Sequence, residues 1–190
     1  MREHRHWPYA AVLVTAAFLS AGLAARAAWI PLKAELAQWL IERSWRQALA
    51  GNPSPPWPWA DTRAAAMLTA PRLEERLVVL AGGSGRNLAF GPVLLDGTER
   101  LTGDVVISGH RDTHFRFLER LRPGDRLQLA GPAGNRRYVV SDLEVVDSSR
   151  QELVIDPGIE RLSLVTCYPF DSPRTGGPLR YVVTAYPVDS

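Results

Sequence analysis

The stretch LSLVTCYPF, residues 162–170, decides how the chain is read. Leu162 to Thr166 form a short apolar run of strand character, and Tyr168-Pro169 stops it, because proline has no amide to give to a ladder. Between run and stop stands Cys167, the single cysteine in the chain. A lone thiol excludes an intrachain disulfide and a multi-cysteine zinc site. At the tip of a core strand its sulfur can leave the interior and face a cleft. Taken alone, a free cysteine is more often a buried and inert residue, so the reading depends on what accompanies it.

Outward from this stretch the pattern is β from Arg63 to the end. AAMLTAP, RLVVLAG, DVVISGH, DRLQLAG, RRYVVSDLEVVD, RLSLVTC and RYVVTAYPV are short apolar runs. YVVSDLEVV alternates, as a strand with one buried face does, whereas VVIS and LSLV read as buried on both faces. The turn signals GGSG, DGT, RPGD, GPAGN, DPG and TGGP separate the runs. Such spacing predicts a mostly β domain, a closed barrel or a sandwich. One short helix is expected at THFRFLERL, 113–121, where Phe117, Leu118 and Leu121 fall together. AGGSGRNLAFGP, 81–92, lacks the GK[ST] ending of a phosphate loop and reads as a turn with a short helix.

Attack of a cysteine on a carbonyl needs a partner for the thiol, an acid for the leaving amine and a donor for the oxyanion. Outside the amino-terminal flank the histidines are His110 and His114. His110 closes the run DVVISGH, and Arg180 opens RYVVTAYPV directly after TGGPL. Cys167, His110 and Arg180 thus share one context, the point where an apolar strand meets a loop. His110 and His114 also make an HxxxH pair, but residue 111 is Arg where a zinc protease has Glu, so no metal is expected. Asp112 either orients an imidazole or, the favoured reading, caps the helix expected after it. His114 lines the cleft or packs.

VVISGHRDTHF, LSLVTCYPF and GGPLRYVV resemble, in order and spacing, the three active-site segments of the sortases, most of all the Gram-negative type. The resemblance covers roughly residues 63–188. The family's TLxTC strand has Ser163 in place of its first threonine, a change in packing, and keeps Thr166. The resemblance implies a closed eight-stranded sortase-type β-barrel with short helices and a cysteine transpeptidase without cofactor. Cys167 is then the nucleophile, His110 the acid and base, and Arg180 the oxyanion or backbone holder, with the Tyr168 amide as second donor. Thr166, Tyr168, Asp112 and His114 are expected to face the substrate. That substrate is a protein with an LPxTG-like carboxy-terminal sorting signal, and the amine acceptor stays open. Two alternatives differ in class. An L,D-transpeptidase-like acyltransferase has its cysteine in an SxGC-like turn, unlike LVTCYPF. A tethered β-barrel binding module would leave the thiol inert.

MREHRHWP is positively charged, and Tyr9 to Ala25 follow without a charge. Ala25-Arg26-Ala27 fits a signal-peptide cleavage site, but the run exceeds a signal core of about 7–15 residues, which favours an uncleaved anchor. Positive residues ahead of it predict a cytoplasmic amino terminus and a periplasmic catalytic domain on the inner membrane. Residues 31–50 read as an amphipathic helix beginning at Pro31, with Leu32, Leu36, Trp39, Leu40, Trp45 and Leu49 near helical spacing. It lies on the membrane as a stalk or packs on the domain. The proline-rich 51–62 is a linker, whose Trp57 and Trp59 are either interfacial anchors or domain-edge residues. The expected division is 1–30 flank and anchor, 31–62 helix and linker, and 63–190 catalytic domain. A net charge of +2 from scattered arginines excludes a nucleic-acid partner.

Overall fold

The apolar amino-terminal segment is helical, and the helix does not restart at Pro31. In the computed structural model, which describes residues 7–188 apart from 83, 96, 99, 100, 153, 157 and 173–175, α1 runs from Trp7 to Leu49 with Pro31 inside it. An internal proline removes one i→i−4 hydrogen bond, and the Ala, Leu, Glu and Gln residues on either side are strong helix formers that carry the helix past it. The chain forms two compact units, Met1–Trp39 and Leu40–Ser190. In the first, Tyr9, Leu13, Phe18, Leu19 and Leu23 are all exposed, on every side of the helix. By length and composition this helix is apolar enough to cross a membrane.

The second unit opens with the last turns of α1. Ile41, Ser44, Trp45 and Ala48 form a buried i, i+3, i+4, i+7 stripe. Its apolar members pack with Ala64, Met67, Val78, Leu80 and Val93. Of the apolar positions foreseen from helical spacing, Trp45 is in this stripe, whereas Leu32, Leu36, Trp39 and Leu49 are exposed. A serine at the centre of the stripe hid it from a hydrophobicity count. Ser44 Oγ donates to the Ser54 carbonyl at 2.6 Å and accepts from the Ala64 amide at 3.4 Å. The proline-rich segment is thereby stitched to helix and strand. Trp57 packs edge-on against Phe90 at 4.9 Å, while Trp59 is exposed.

The strands are β1 (Ala64–Ala70), β2 (Glu75–Leu80), β3 (Val93–Leu94), β4 (Asp104–Ser108), β5 (Arg126–Gly131), β6 (Gly134–Asp147), β7 (Arg161–Cys167) and β8 (Leu179–Pro187). They close into one barrel in the order β1-β2-β3-β4-β7-β8-β6-β5. β3 has only two residues and gave no sequence signal; it bridges β2 and β4. Leu68, Val79, Ile107, Leu129, Leu164 and Val183 fill the interior. β7 lies between β4, to which it is parallel, and β8, to which it is antiparallel. Val105, Val106 and Ile107 in β4, and Leu162, Ser163 and Leu164 in β7, are all buried, matching the two-sided burial expected of these runs.

The helix expected at 113–121 is shorter. Turns occupy 111–115, and a 3-10 helix spans Arg116–Arg120. The Leu118 and Leu121 amides donate three residues back, to Phe115 and Leu118. A three-residue period puts Phe115, Leu118 and Leu121 on one side, and all three are buried. Phe115 stands at the N-cap without a side-chain cap, so Asp112 does not cap this helix. Its carboxylate accepts from Arg111 Nε at 3.3 Å.

Candidate active site

Strand register pairs two of the three expected residues and puts the strand that leads to the third beside them. In the β7–β8 ladder, Cys167 and Arg180 are direct partners. In the β4–β7 ladder, Ser108 is level with Val165, and the Gly109 amide donates to the Val165 carbonyl at 3.1 Å. Two residues further along stand His110, past the last rung of β4, and Cys167, the last residue of β7. Side chains alternate along a strand. Leu162 and Leu164 enter the core, which puts Val165 and Cys167 on the other face. The same parity applies to Ile107 against Ser108, and to Val183 against Val182 and Arg180. Cys167 and Arg180 are therefore on one face at one end of β7 and β8, and His110 follows the neighbouring end of β4. Neighbouring strands are about 4.8 Å apart, so Arg180 is the cross-strand neighbour of the cysteine on β8, while β4 on its other side ends two residues before His110. Cys167 is half-buried and His110 exposed. A thiol, an imidazole and a guanidinium thus stand at or just past neighbouring strand ends.

The other expected residues divide. Thr166 is buried, and its hydroxyl donates to the Gly109 carbonyl at 2.7 Å. It does not face a substrate; it pins the residue before His110 to the residue before Cys167. The Tyr168 amide donates to the Leu179 carbonyl at 3.1 Å. It is committed to the ladder and is not the oxyanion donor expected of it. The Tyr168 ring packs against the barrel core, stacked on Tyr181 at 6.2 Å, and Phe170 meets Tyr181 edge-on at 5.1 Å. Arg180 Nη1 donates to the Gly177 and Leu179 carbonyls at 2.7 and 2.9 Å, which ties the guanidinium to the main chain at the start of β8.

Asp112 is exposed and paired with Arg111. His114 is half-buried, with Nδ1 3.2 Å from Thr113 Oγ1. Burial, and then the nearby His110, push its pKa below the ordinary histidine value. His114 therefore resists protonation in the folded chain.

Sequence reasoning missed Arg111 and Arg116. Arg111 is buried and donates to the Pro169 and Ser172 carbonyls at 2.7 and 2.8 Å. Arg116 donates to the Phe170 carbonyl at 2.8 Å. Both tie the segment after His110 to the turn after Cys167, which includes the cis Tyr168–Pro169 peptide. An arginine inside a polar-looking loop carries no periodic signal, and its acceptors are main-chain atoms far along the sequence.

Residues 68–188 match the Sortase domain. The chain is 31% identical over 124 residues to sortase D of Bacillus subtilis (strain 168), covering 64% of this chain and 62% of that protein. It thus spans less than two-thirds of that relative's length. Among solved structures, sortase A from Corynebacterium diphtheriae superposes with a TM-score of 0.60 at 24% identity, covering 76% of this chain and 68% of that one. Sortase C1 of Streptococcus agalactiae gives 0.59 at 24% identity over 67% and 68% of the two chains. Sortase C-1 from Actinomyces oris gives 0.55 at 26% over 67% and 75%. The closed barrel, the ordered His, Cys and Arg strand ends and the domain match over most of that barrel lead to one conclusion: the chain belongs to the sortase family.

Proposed function

We propose that the chain is a membrane-anchored cysteine transpeptidase acting on proteins with an LPxTG-like carboxy-terminal sorting signal. The observation that supports this reading is the register that pairs Cys167 with Arg180, with His110 two residues past the Ser108–Val165 rung. Cys167 Sγ attacks the carbonyl carbon of the threonine in the signal. Arg180 holds the developing oxyanion or the neighbouring substrate carbonyl. The C–N bond breaks, and His110 gives its proton to the departing amine. The thioacyl-enzyme is then attacked by an incoming amine, which loses a proton to His110 as the thiolate leaves. Tyr168 and His114 border the groove. The apolar helix of the first unit anchors the chain, with the basic flank Arg2 and Arg5 in the cytoplasm and the barrel in the periplasm.

The detergent-solubilised chain, given a fluorogenic LPxTG-like peptide and a primary amine, is expected to cleave the peptide and form the new amide. Cys167→Ala abolishes both. Turnover surviving in that variant removes Cys167 from the reaction. A Cys167 thiol that reacts with a methanethiosulfonate reagent only after denaturation favours an inert binding module.

A further inference from the structure

Arg111 follows His110 directly and is 4% exposed. Three of its side-chain nitrogens have partners: Nη1 donates to the Pro169 carbonyl at 2.7 Å, Nη2 to the Ser172 carbonyl at 2.8 Å and Nε to Asp112 Oδ1 at 3.3 Å. A buried guanidinium is tolerated only where hydrogen bonds replace its hydration. Two of these acceptors are main-chain carbonyls of the turn that begins two residues after Cys167, so the contact fixes the path of the chain itself. The planar fork of arginine reaches two carbonyls at once, which the point charge of lysine does not.

The ladder explains why the histidine needs such a tie. β4 and β7 pair through Ser108 and Val165, the Gly109 amide reaches Val165, and Thr166 holds the Gly109 carbonyl. His110 lies past that last rung. Among the described residues, the next link from this segment to the cysteine side is the guanidinium of Arg111. Past Gly109 the turn is closed on itself, the His110 carbonyl accepting from the Phe115 amide at 2.9 Å, and the Arg111 guanidinium, followed further along by Arg116, joins it to the chain after Cys167.

We propose that Arg111 is a positioning residue: by clamping the loop after His110 to the turn after Cys167, it holds the imidazole level with the sulfur. This rests on the acyl-transfer reading of the site. Arg111 touches no reacting atom and acts through His110.

The test uses the full chain in detergent micelles, with Arg111→Ala, Arg111→Lys, His110→Ala and the double variant His110→Ala/Arg111→Ala. Arg111→Ala is expected to lower kcat by about 10²-fold, the smaller end of what acid–base catalysis contributes, with KM nearly unchanged. The double variant is expected to be no slower than His110→Ala alone, because a positioning effect has nothing left to position. Cys167 labelling by a methanethiosulfonate reagent stays near the parent rate. Arg161→Ala, which breaks the ion pair with Asp104 at the opposite end of β4 and β7, lowers the melting temperature without changing kcat in this way. Multiplying losses in the double variant, or parent-like kcat in Arg111→Ala, overturns the proposal.

A second readout does not require turnover. In histidine-labelled chain, methylthiolation of Cys167 is expected to shift the His110 imidazole resonance, assigned by its loss in His110→Ala. Arg111→Ala is expected to remove most of that shift, and a retained shift overturns the positioning role. If the parent cleaves no sorting-signal peptide yet Arg111→Ala loses the shift, the clamp stands and the transpeptidase reading falls. Arg111→Lys carries the same measurements should the alanine chain not fold.

Discussion

Replacing Gly109 by alanine tests how tightly the site is built into the barrel. A Cβ at this position would lie 2.7, 2.8 and 3.0 Å from Cγ, Cδ2 and Cδ1 of Phe115. Non-bonded carbons prefer about 3.5–4.0 Å, so the ring and the strand tip must part by most of an ångström. Neither moves easily. Phe115 is fully buried, with Phe117 edge-on at 5.9 Å, and Gly109 is held on both sides by its amide to Val165 and its carbonyl to Thr166. Overpacking of this kind costs about 1–3 kcal/mol. For a unit of this size the melting temperature falls by about 2–4 °C per kcal/mol. What the ring does not absorb displaces His110, so turnover falls while Cys167 stays reactive to thiol reagents. Thermal melts read by near-ultraviolet circular dichroism, together with peptide cleavage, measure both effects. Adding Phe115→Leu is expected to relieve the clash, giving a coupling of about 1–2 kcal/mol between the two sites. Parent-like melting and turnover in Gly109→Ala would refute the close-approach argument, and strictly additive losses in the double variant would refute the choice of Phe115 as the obstacle.

Thr166→Val keeps the volume but leaves the Gly109 carbonyl without its donor; a loss of about 1–2 kcal/mol in denaturant unfolding is expected, with reduced kcat. Arg161→Ala strands the buried Asp104 carboxylate, which also accepts from the Asp156 amide at 3.1 Å, and is expected to cost about 3 kcal/mol, more than the Thr166 change. His114, whose folded pKa is lowered by burial and by His110, takes up its proton later in the folded chain than in the unfolded one. Its contribution to stability is complete above the unfolded value of about 6.5 and is lost as pH falls below it. Melting temperature measured from about pH 7 to about pH 5 should therefore drop more steeply in the parent than in His114→Gln, and parallel curves would contradict this account.

The strand tips were legible because each carries two independent marks, an apolar run and a residue type that chemistry needs. Cys167, His110 and Arg180 each stand at such a junction, and the register pairs Cys167 with Arg180. The register itself was not legible. β4 and β7 are parallel and joined through β5 and β6, and nothing local to DVVIS or RLSLV encodes that pairing. Thr166 looked like a groove residue because it neighbours the cysteine, but strand alternation sends it to the opposite face. The Tyr168 amide looked available because ladder partners cannot be read from one strand. Pro31 looked like a helix start because proline is favoured there, and the helix formers around it prevailed. The stripe of Ile41, Ser44, Trp45 and Ala48 was hidden because one of its four members is polar and is satisfied only by Ser54 and Ala64 after folding.

That stripe has a practical meaning for where the chain can be cut. Residues 41–48 shield Met67, Val78, Leu80 and Val93. A recombinant fragment trimmed to Arg63 would lay this apolar face of β1 and β2 open to water, inviting self-association or detergent binding that has nothing to do with membrane attachment. A fragment beginning at Leu40 retains the shield and the Trp57–Phe90 contact while losing most of the spanning candidate. Poor solubility of the shorter product would then report a missing piece of the globular body, not a greasy tail left behind.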